Sequence, residues 1–268
     1  MKKTRVIILR TAGTNCDQET AFAFQSCGAQ ADCVHINKLL RQEVSLEDYH
    51  ILAIPGGFTY GDDIESGRIL ANELRLYLSD QISRFINDKK LIIGICNGFQ
   101  VLVRAGILPG LLNTCDKKDP GHFQQVSLIT NDSGKFEDRW VHLKIEGRGP
   151  WLEGLKRVVF FPVAHAEGKF IAREDMLKEL NENHQVAFRY CAGDGTNPVY
   201  PRNPNGSSEN IAGITDPTGR ILGLMPHPER HFLFRHHPYW TRLKPNGQFG
   251  EGAGIFKNGV EYIKKHLL

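Results

Sequence analysis

Leu91-Ile92-Ile93-Gly94-Ile95-Cys96-Asn97-Gly98-Phe99-Gln100 decides how this chain is read. An apolar run of strand character ends at a cysteine flanked by Gly94 and Gly98, and a helical pattern starts at once. This is the sequence form of a nucleophile elbow, a sharp strand-to-helix turn that lifts a nucleophile above the edge of a sheet. The small flanking residues keep the strained turn free of clashes. The N–H of Asn97 then points to where an oxyanion would form.

Outward from the elbow, the first hundred residues alternate strand and helix signals. Val6–Leu9, Ala31–Ile36, Ile51–Ile54 and Leu91–Ile95 read as strands. Asn15 is a plausible N-cap, with Gln18 three residues later, of a helix that runs to Gly28. Ser66 to Phe85 reads as one long helix, its apolar positions Ile69, Leu70, Leu74, Leu78, Ile82 and Phe85 lying on one face. Short apolar strands alternating with helices predict a parallel sheet covered on both sides, with functional groups beyond the carboxyl ends of its strands. The middle differs: Phe123–Thr130, Trp140–Ile145, Val158–Val163 and Gln185–Tyr190 are strand-like and separated by turns, which predicts antiparallel additions to the main sheet. Asn203 to Ser208 is a loop. Asp216-Pro217-Thr218-Gly219 is the turn of a hairpin between Ile211–Thr215 and Ile221–Met225. Ile255 to His266 closes the chain as an amphipathic helix. No repeat or linker breaks the 268 residues, so a single domain over 1–268 is expected.

Composition narrows the function. The formal net charge of +3 is too mild, and the basic residues too scattered, for nucleic acid. No apolar run approaches the length of a transmembrane helix, and Met1-Lys2-Lys3 leads into too short an apolar stretch for a secretory signal. The six cysteines are irregularly spaced without a CxxC pair, which predicts free thiols in the cytoplasm and no metal site. Only Cys96 has a context that suggests reactivity; the other five read as small packing residues.

A cysteine nucleophile needs a base and a group that orients the base. Met225-Pro226-His227-Pro228-Glu229 offers both. In an extended segment residues i and i+2 project to one side, so Glu229 can accept from Nδ1 of His227 and leave Nε2 for the cysteine. Tetrahedral intermediates also need two aimed N–H donors. Asn97 supplies one. Gly57, in the turn Pro55-Gly56-Gly57-Phe58 after a neighbouring strand, is the candidate for the other, although the same glycine pair also reads as a plain tight turn.

With these residues assembled, the chain resembles the class I (triad-type) glutamine amidotransferases, and among them the glutaminase components of phosphoribosylformylglycinamidine synthases. The matching segments are Pro55-Gly56-Gly57-Phe58-Thr59-Tyr60-Gly61-Asp62, Gly94 through Leu102, Asn203-Pro204-Asn205-Gly206-Ser207 and Gly223 through Arg230. The resemblance implies a flavodoxin-like α/β fold with a mostly parallel central sheet, helices on both faces and antiparallel additions. It implies that Cys96 attacks the side-chain amide carbon of L-glutamine, that His227 transfers protons and that Glu229 orients it. Gly57 and Asn97 amides hold the oxyanion, and Gly56, Gln100 and His165 belong to the glutamine pocket. A turn after a strand explains His165-Ala166-Glu167-Gly168 equally well.

The chain has no P-loop, so no cofactor is expected on it. The resemblance implies ATP and Mg on a separate synthetase subunit of phosphoribosylformylglycinamidine synthase, with a small accessory subunit, and a docking surface at Phe58 to Arg68. Within it, Asp62 to Arg68 departs from the family, which commonly has a more basic or alanine-rich stretch there. Extra material lies around Asn113 to Gly121 and after His231. Three other readings stay open: a glutamine amidotransferase serving another acceptor, a cysteine peptidase on the same fold, and a non-catalytic regulatory subunit.

Overall fold

A computed structural model describes residues 3–62, 64–110, 125–244 and 247–268. The extra segment around Asn113 to Gly121, with Cys115, and Asp63 of the docking segment lie outside the described residues.

The elements run β1 (Arg5–Arg10), α1 (Asp17–Ser26), β2 (Gln30–His35), α2 (Ile36–Leu40), β3 (Ile51–Ile54), α3 (Arg68–Tyr77), α4 (Ser79–Asn87), β4 (Leu91–Ile95), α5 (Asn97–Arg104), β5 (Val126–Ile129), β6 (Glu137–Ile145), β7 (Val158–His165), β8 (Lys169–Ala172), α6 (Glu174–Glu182), β9 (Val186–Cys191), β10 (Ile211–Thr215), β11 (Ile221–Leu224) and α7 (Ala253–His266). Nine strands form one sheet in the order β2-β1-β3-β4-β11-β10-β9-β6-β7, and β5 pairs with β8 in a separate ribbon. Strands β2, β1, β3, β4 and β11 are parallel neighbours. From β11 outward each neighbour is antiparallel. This is the mostly parallel α/β sheet with helices on both faces and antiparallel additions that the alternating pattern predicts. Every residue of β3, β4 and β11 is buried, as continuous apolar runs require when a sheet is covered on both faces. On one side α1 and α7 pack together through Phe24 and Phe256, whose rings meet edge to face at 5.0 Å.

Three expectations need correction, and a fourth, the loop at 203–208, holds. Asn15 does not cap α1: Cys16 takes the N-cap position with no side-chain capping bond, and Asn15 Oδ1 accepts from the Cys16 thiol at 3.0 Å. The helix expected over 66–85 is two helices. Leu78 ends one and begins the next at φ −119° and ψ 6°, outside the helical geometry. The apolar stripe survives because Leu78 stays buried with Leu74, Ile82 and Phe85 and still bonds Leu74 O behind it and Ile82 N ahead. The strand expected over 123–130 spans only Val126–Ile129 in its described part and joins β8, not the main sheet. The loop at 203–208 is anchored inward: Asn205 is wholly buried and donates to Gly168 O and the Tyr190 hydroxyl.

Two features of the topology place the site. The order reverses between β1 and β3, so their carboxyl ends open the crevice where ligands bind in such sheets. There residues 13–16 lie on the Pro55-Gly56-Gly57 turn: Phe58 N–H donates to Gly13 O at 2.9 Å and Cys16 N–H to Gly56 O at 3.1 Å. The antiparallel half then curls back over the carboxyl ends. Although β7 is the far edge strand, Pro162 O accepts His227 N–H at 2.8 Å and Ala164 O lies 3.5 Å from Cys96 Sγ.

The elbow also requires close packing of α5 against β3. A Cβ on Gly98 would stand 1.9 Å from Ile54 O, a backbone atom that cannot step aside. Gly98→Ala therefore destabilises the fold by about 1–3 kcal/mol or more, read as a lowered urea midpoint. An unchanged midpoint would show that α5 is free to move away from β3.

Candidate active site

The site is built on backbone strain. Cys96 caps α5 with φ 53° and ψ −109°, outside the regions open to ordinary residues at low cost; such a residue costs about 1–3 kcal/mol. Its N–H is held by Leu224 O at 2.8 Å, so the last residue of β11 fixes the turn. Asn97 is the first residue of the helix, where the N–H has no acceptor within the helix.

The Asn97 side chain explains itself better than its sequence position does. Its Oδ1 accepts from Thr59 N–H at 3.3 Å and from the Thr59 hydroxyl at 2.8 Å. Its Nδ2 donates to Asp62 Oδ1 and Gln100 Oε1, both at 3.1 Å. Three of these bonds tie the Thr59–Asp62 turn, itself wound through positive φ at Tyr60 and Asp62, to the elbow, and the fourth stays within α5. At about 1 kcal/mol net each, they are comparable to the strain they hold.

The base pair is assembled as expected. His227 Nδ1 lies 2.6 Å from Glu229 Oε1, and both side chains are buried. Burial disfavours the imidazolium. The Glu229 carboxylate and then Cys96 outweigh it, and the His227 pKa is raised well above the usual histidine value. Its Nε2 is buried without a hydrogen bond. Cys96 and His227 meet across Gly56: a Cβ there would stand 2.7 Å from His227 Cε1 and 3.3 Å from Cys96 Cβ. Gly56 thus leaves the space the two side chains occupy. Gly57, at φ 144°, could not carry a side chain either, because a Cβ would meet Asn15 N at 2.7 Å.

Gln100 and His165 enter the same neighbourhood by routes the sequence did not disclose. Gln100 is buried, and its amide is committed, accepting from Asn97 and donating to Glu167 O at 2.5 Å. His165 is not in a turn but is the last residue of β7. Asn131 Nδ2 donates to Lys135 O and His165 O, so its Oδ1 is the acceptor for both Gly168 N–H and His165 Nδ1–H, at 3.0 and 3.1 Å. The histidine proton therefore sits on Nδ1, and the bare Nε2, buried and unpartnered, is an acceptor. Burial, reinforced by the nearby charge on His227, pushes its pKa down to about 4.

Sequence reading passed over Cys16. It is buried at the site, with Sγ 4.0 Å from His227 Nδ1 and 3.1 Å from Arg230 Nη2. Arg230 is in turn held by Glu19 at 3.0 Å. No local pattern marks Cys16, because the topology alone carries residues 13–16 onto the Gly56-Gly57 turn. Asn131, brought to His165 by the fold alone, was missed for the same reason.

A strained elbow cysteine, a buried His–Glu pair and facing backbone turns come together at the carboxyl ends of this sheet. Residues 3–263 match the CobB/CobQ-like glutamine amidotransferase domain, and the chain belongs to that family of class I glutamine amidotransferases. It is 45% identical over 270 residues to the phosphoribosylformylglycinamidine synthase subunit PurQ of Dehalococcoides mccartyi, covering 99% of this chain and 100% of that one. It is 42% identical to the subunit PurQ of Methanococcus maripaludis, over 97% and 98% of the two chains. Among solved structures, PurLQS from Thermotoga maritima contains a chain matched with a TM-score of 0.73 at 28% identity, over 98% of this chain and 100% of that one.

His165 makes the fold sensitive to acid. An unfolded histidine titrates near pH 6.5, whereas this one stays neutral until about pH 4. Between those values the unfolded chain binds more protons. The stabilisation is full above about pH 6.5 and is lost as pH falls toward 4, roughly 3 kcal/mol in all. Urea midpoints measured across that range should fall less steeply in His165→Asn than in the native chain; parallel slopes would show that His165 does not carry the effect.

Proposed function

We propose that this chain is the glutaminase subunit of a phosphoribosylformylglycinamidine synthase, a cytoplasmic enzyme of de novo purine biosynthesis. The observation that carries the proposal is the convergence of Cys96, His227 and Glu229 in a chain that matches PurQ subunits along nearly its whole length.

His227 Nε2 takes the Cys96 thiol proton while Glu229 holds Nδ1–H and stabilises the imidazolium that results. The thiolate attacks the side-chain amide carbon of L-glutamine. The oxyanion rests on the N–H groups of Asn97 and Gly57. His227 returns its proton to the departing nitrogen, and ammonia leaves. Water then attacks the glutamyl thioester, again with His227 as base, and glutamate is released.

Gly56 gives the imidazole and the substrate room. Gln100 holds the Asn97 amide and the turn after β7. The bare Nε2 of neutral His165 accepts from an N–H of the substrate.

Ammonia serves a synthetase subunit that carries ATP and Mg and makes formylglycinamidine ribonucleotide, with a small accessory subunit in the assembly. The match to a chain of PurLQS supports a multi-subunit arrangement. Docking over residues 58–68 is favoured by half-exposed Phe58, its ring 6.3 Å from that of half-exposed Phe136, and by exposed Ile64. Among the described residues no helix is long and apolar enough to cross a membrane.

Cys96→Ser is expected to abolish glutamine-dependent synthesis by the assembled synthase, a loss of about 10³-fold or more. Synthesis from added ammonium should survive. Loss of both activities in an intact complex would exclude a dedicated ammonia supplier, and retained glutamine-dependent activity would exclude Cys96 as nucleophile.

A further inference from the structure

The reaction leaves Cys16 unused, although it is the second thiol at the site. Cys16, His227 and Glu229 each offer one donor atom within 4.8 Å of the others, all from buried side chains. We infer that these three residues form a site for a soft divalent cation of the Zn²⁺ class, and that occupation of this site switches the triad off.

The donors suit such an ion. A thiolate, an imidazole nitrogen and a carboxylate oxygen are zinc ligands at about 2.0–2.3 Å. Tetrahedral coordination at those lengths separates ligand atoms by roughly 3.4–3.6 Å. Here Cys16 Sγ is 4.0 Å from His227 Nδ1, and Glu229 Oε1 is 2.6 Å from it. The sulfur must approach and the carboxylate withdraw, each by less than about 1 Å on those bond lengths. Glu229 also has a second oxygen, Oε2, buried without any partner, which is costly for a carboxylate unless something pairs with it. Asn15 Oδ1, 3.0 Å from the sulfur, is at hand as a further oxygen ligand. One thiolate and one carboxylate balance the double charge, so the occupied site is neutral and its burial is tolerated. Arg230 borders the site: its partly exposed guanidinium lies on the sulfur and is paired to Glu19.

The consequence follows from the tautomer. When the cation takes Nδ1, the single proton of the neutral ring moves from Nδ1 to Nε2, and the Cys16 thiol releases its own proton to solvent. The neutral imidazole then keeps its one proton on Nε2, the side meant for Cys96. It can no longer accept the Cys96 proton, so no thiolate is generated by this base.

The inhibition rests on the glutaminase reading above; the binding does not, and the two are tested separately. Full-length chain with Cys96→Ser, which removes the competing nucleophile, is titrated with Co²⁺ and with Zn²⁺. One ion per chain is expected, with a thiolate-to-cobalt charge-transfer band. Adding Cys16→Ser should remove the band and weaken Zn²⁺ binding at least about tenfold. Cys16→Ala serves as a second thiol-free variant, and thermal melting confirms that each variant is folded. A missing band in the Cys96→Ser chain, or a band that persists without Cys16, overturns the proposal. With the synthetase partner present, Zn²⁺ should block glutamine-dependent turnover of the native chain reversibly, with chelator restoring it. Absence of glutamine turnover even without metal, with the cobalt band intact, would sink the glutaminase reading and leave the site standing.

Discussion

The conformation of one residue organises this protein. Cys96 sits at positive φ at the junction of β4 and α5, a geometry an isolated peptide would abandon. It persists because three elements overdetermine it. The Leu224 carbonyl holds its N–H, α5 is pressed against Ile54 at Gly98, and Asn97 is stitched to the Thr59–Asp62 turn. The central parallel strands are therefore more than a hydrophobic core. Their register, Ile54 beside Gly94 and Leu224 beside Ile95, brings the three restraints to the same point. A thiol on this turn stands clear of the sheet, with the first amide of a helix beside it.

The strands nearest the elbow were legible because local and global preferences agree there. Ile51–Ile54 and Leu91–Ile95 are short, branched and apolar throughout, and the fully covered centre of a parallel sheet demands that composition. The His227–Glu229 pair was legible because its partners are two residues apart in one rigid segment. What escaped was long-range. Nothing around Cys16 distinguishes it from Cys27 or Cys33, since its role depends on β1 ending beside β3. His165 looked like a turn residue because β7 runs on through Ala164 after Pro162, which the strand pairing with β6 sustains. The loop around Asn205 was legible from its turn residues, but not that the Asn205 side chain bonds the Gly168 carbonyl. The helix break at Leu78 left no mark because the apolar spacing continues unbroken across it.

The electrostatics of the site are a matter of what each histidine faces. His227 and His165 are both buried and close enough for the charge of one to act on the other. Burial alone would leave both neutral. His227 differs first by a carboxylate on Nδ1 at 2.6 Å, reinforced by Cys96, where His165 has the neutral amide oxygen of Asn131 at 3.1 Å. That difference in the residue accepting one N–H gives one ring that carries a proton and one that refuses it. The refusal matters as much as the acceptance. A second imidazolium beside the first would lower the proton affinity of His227. A neutral acceptor also suits a substrate whose reacting group is an amide bearing N–H donors. The aligned dependence of both histidines on β7, which positions His165 directly and His227 through Pro162 O, means that the antiparallel half of the sheet, remote in sequence from Cys96, sets the proton inventory of the site.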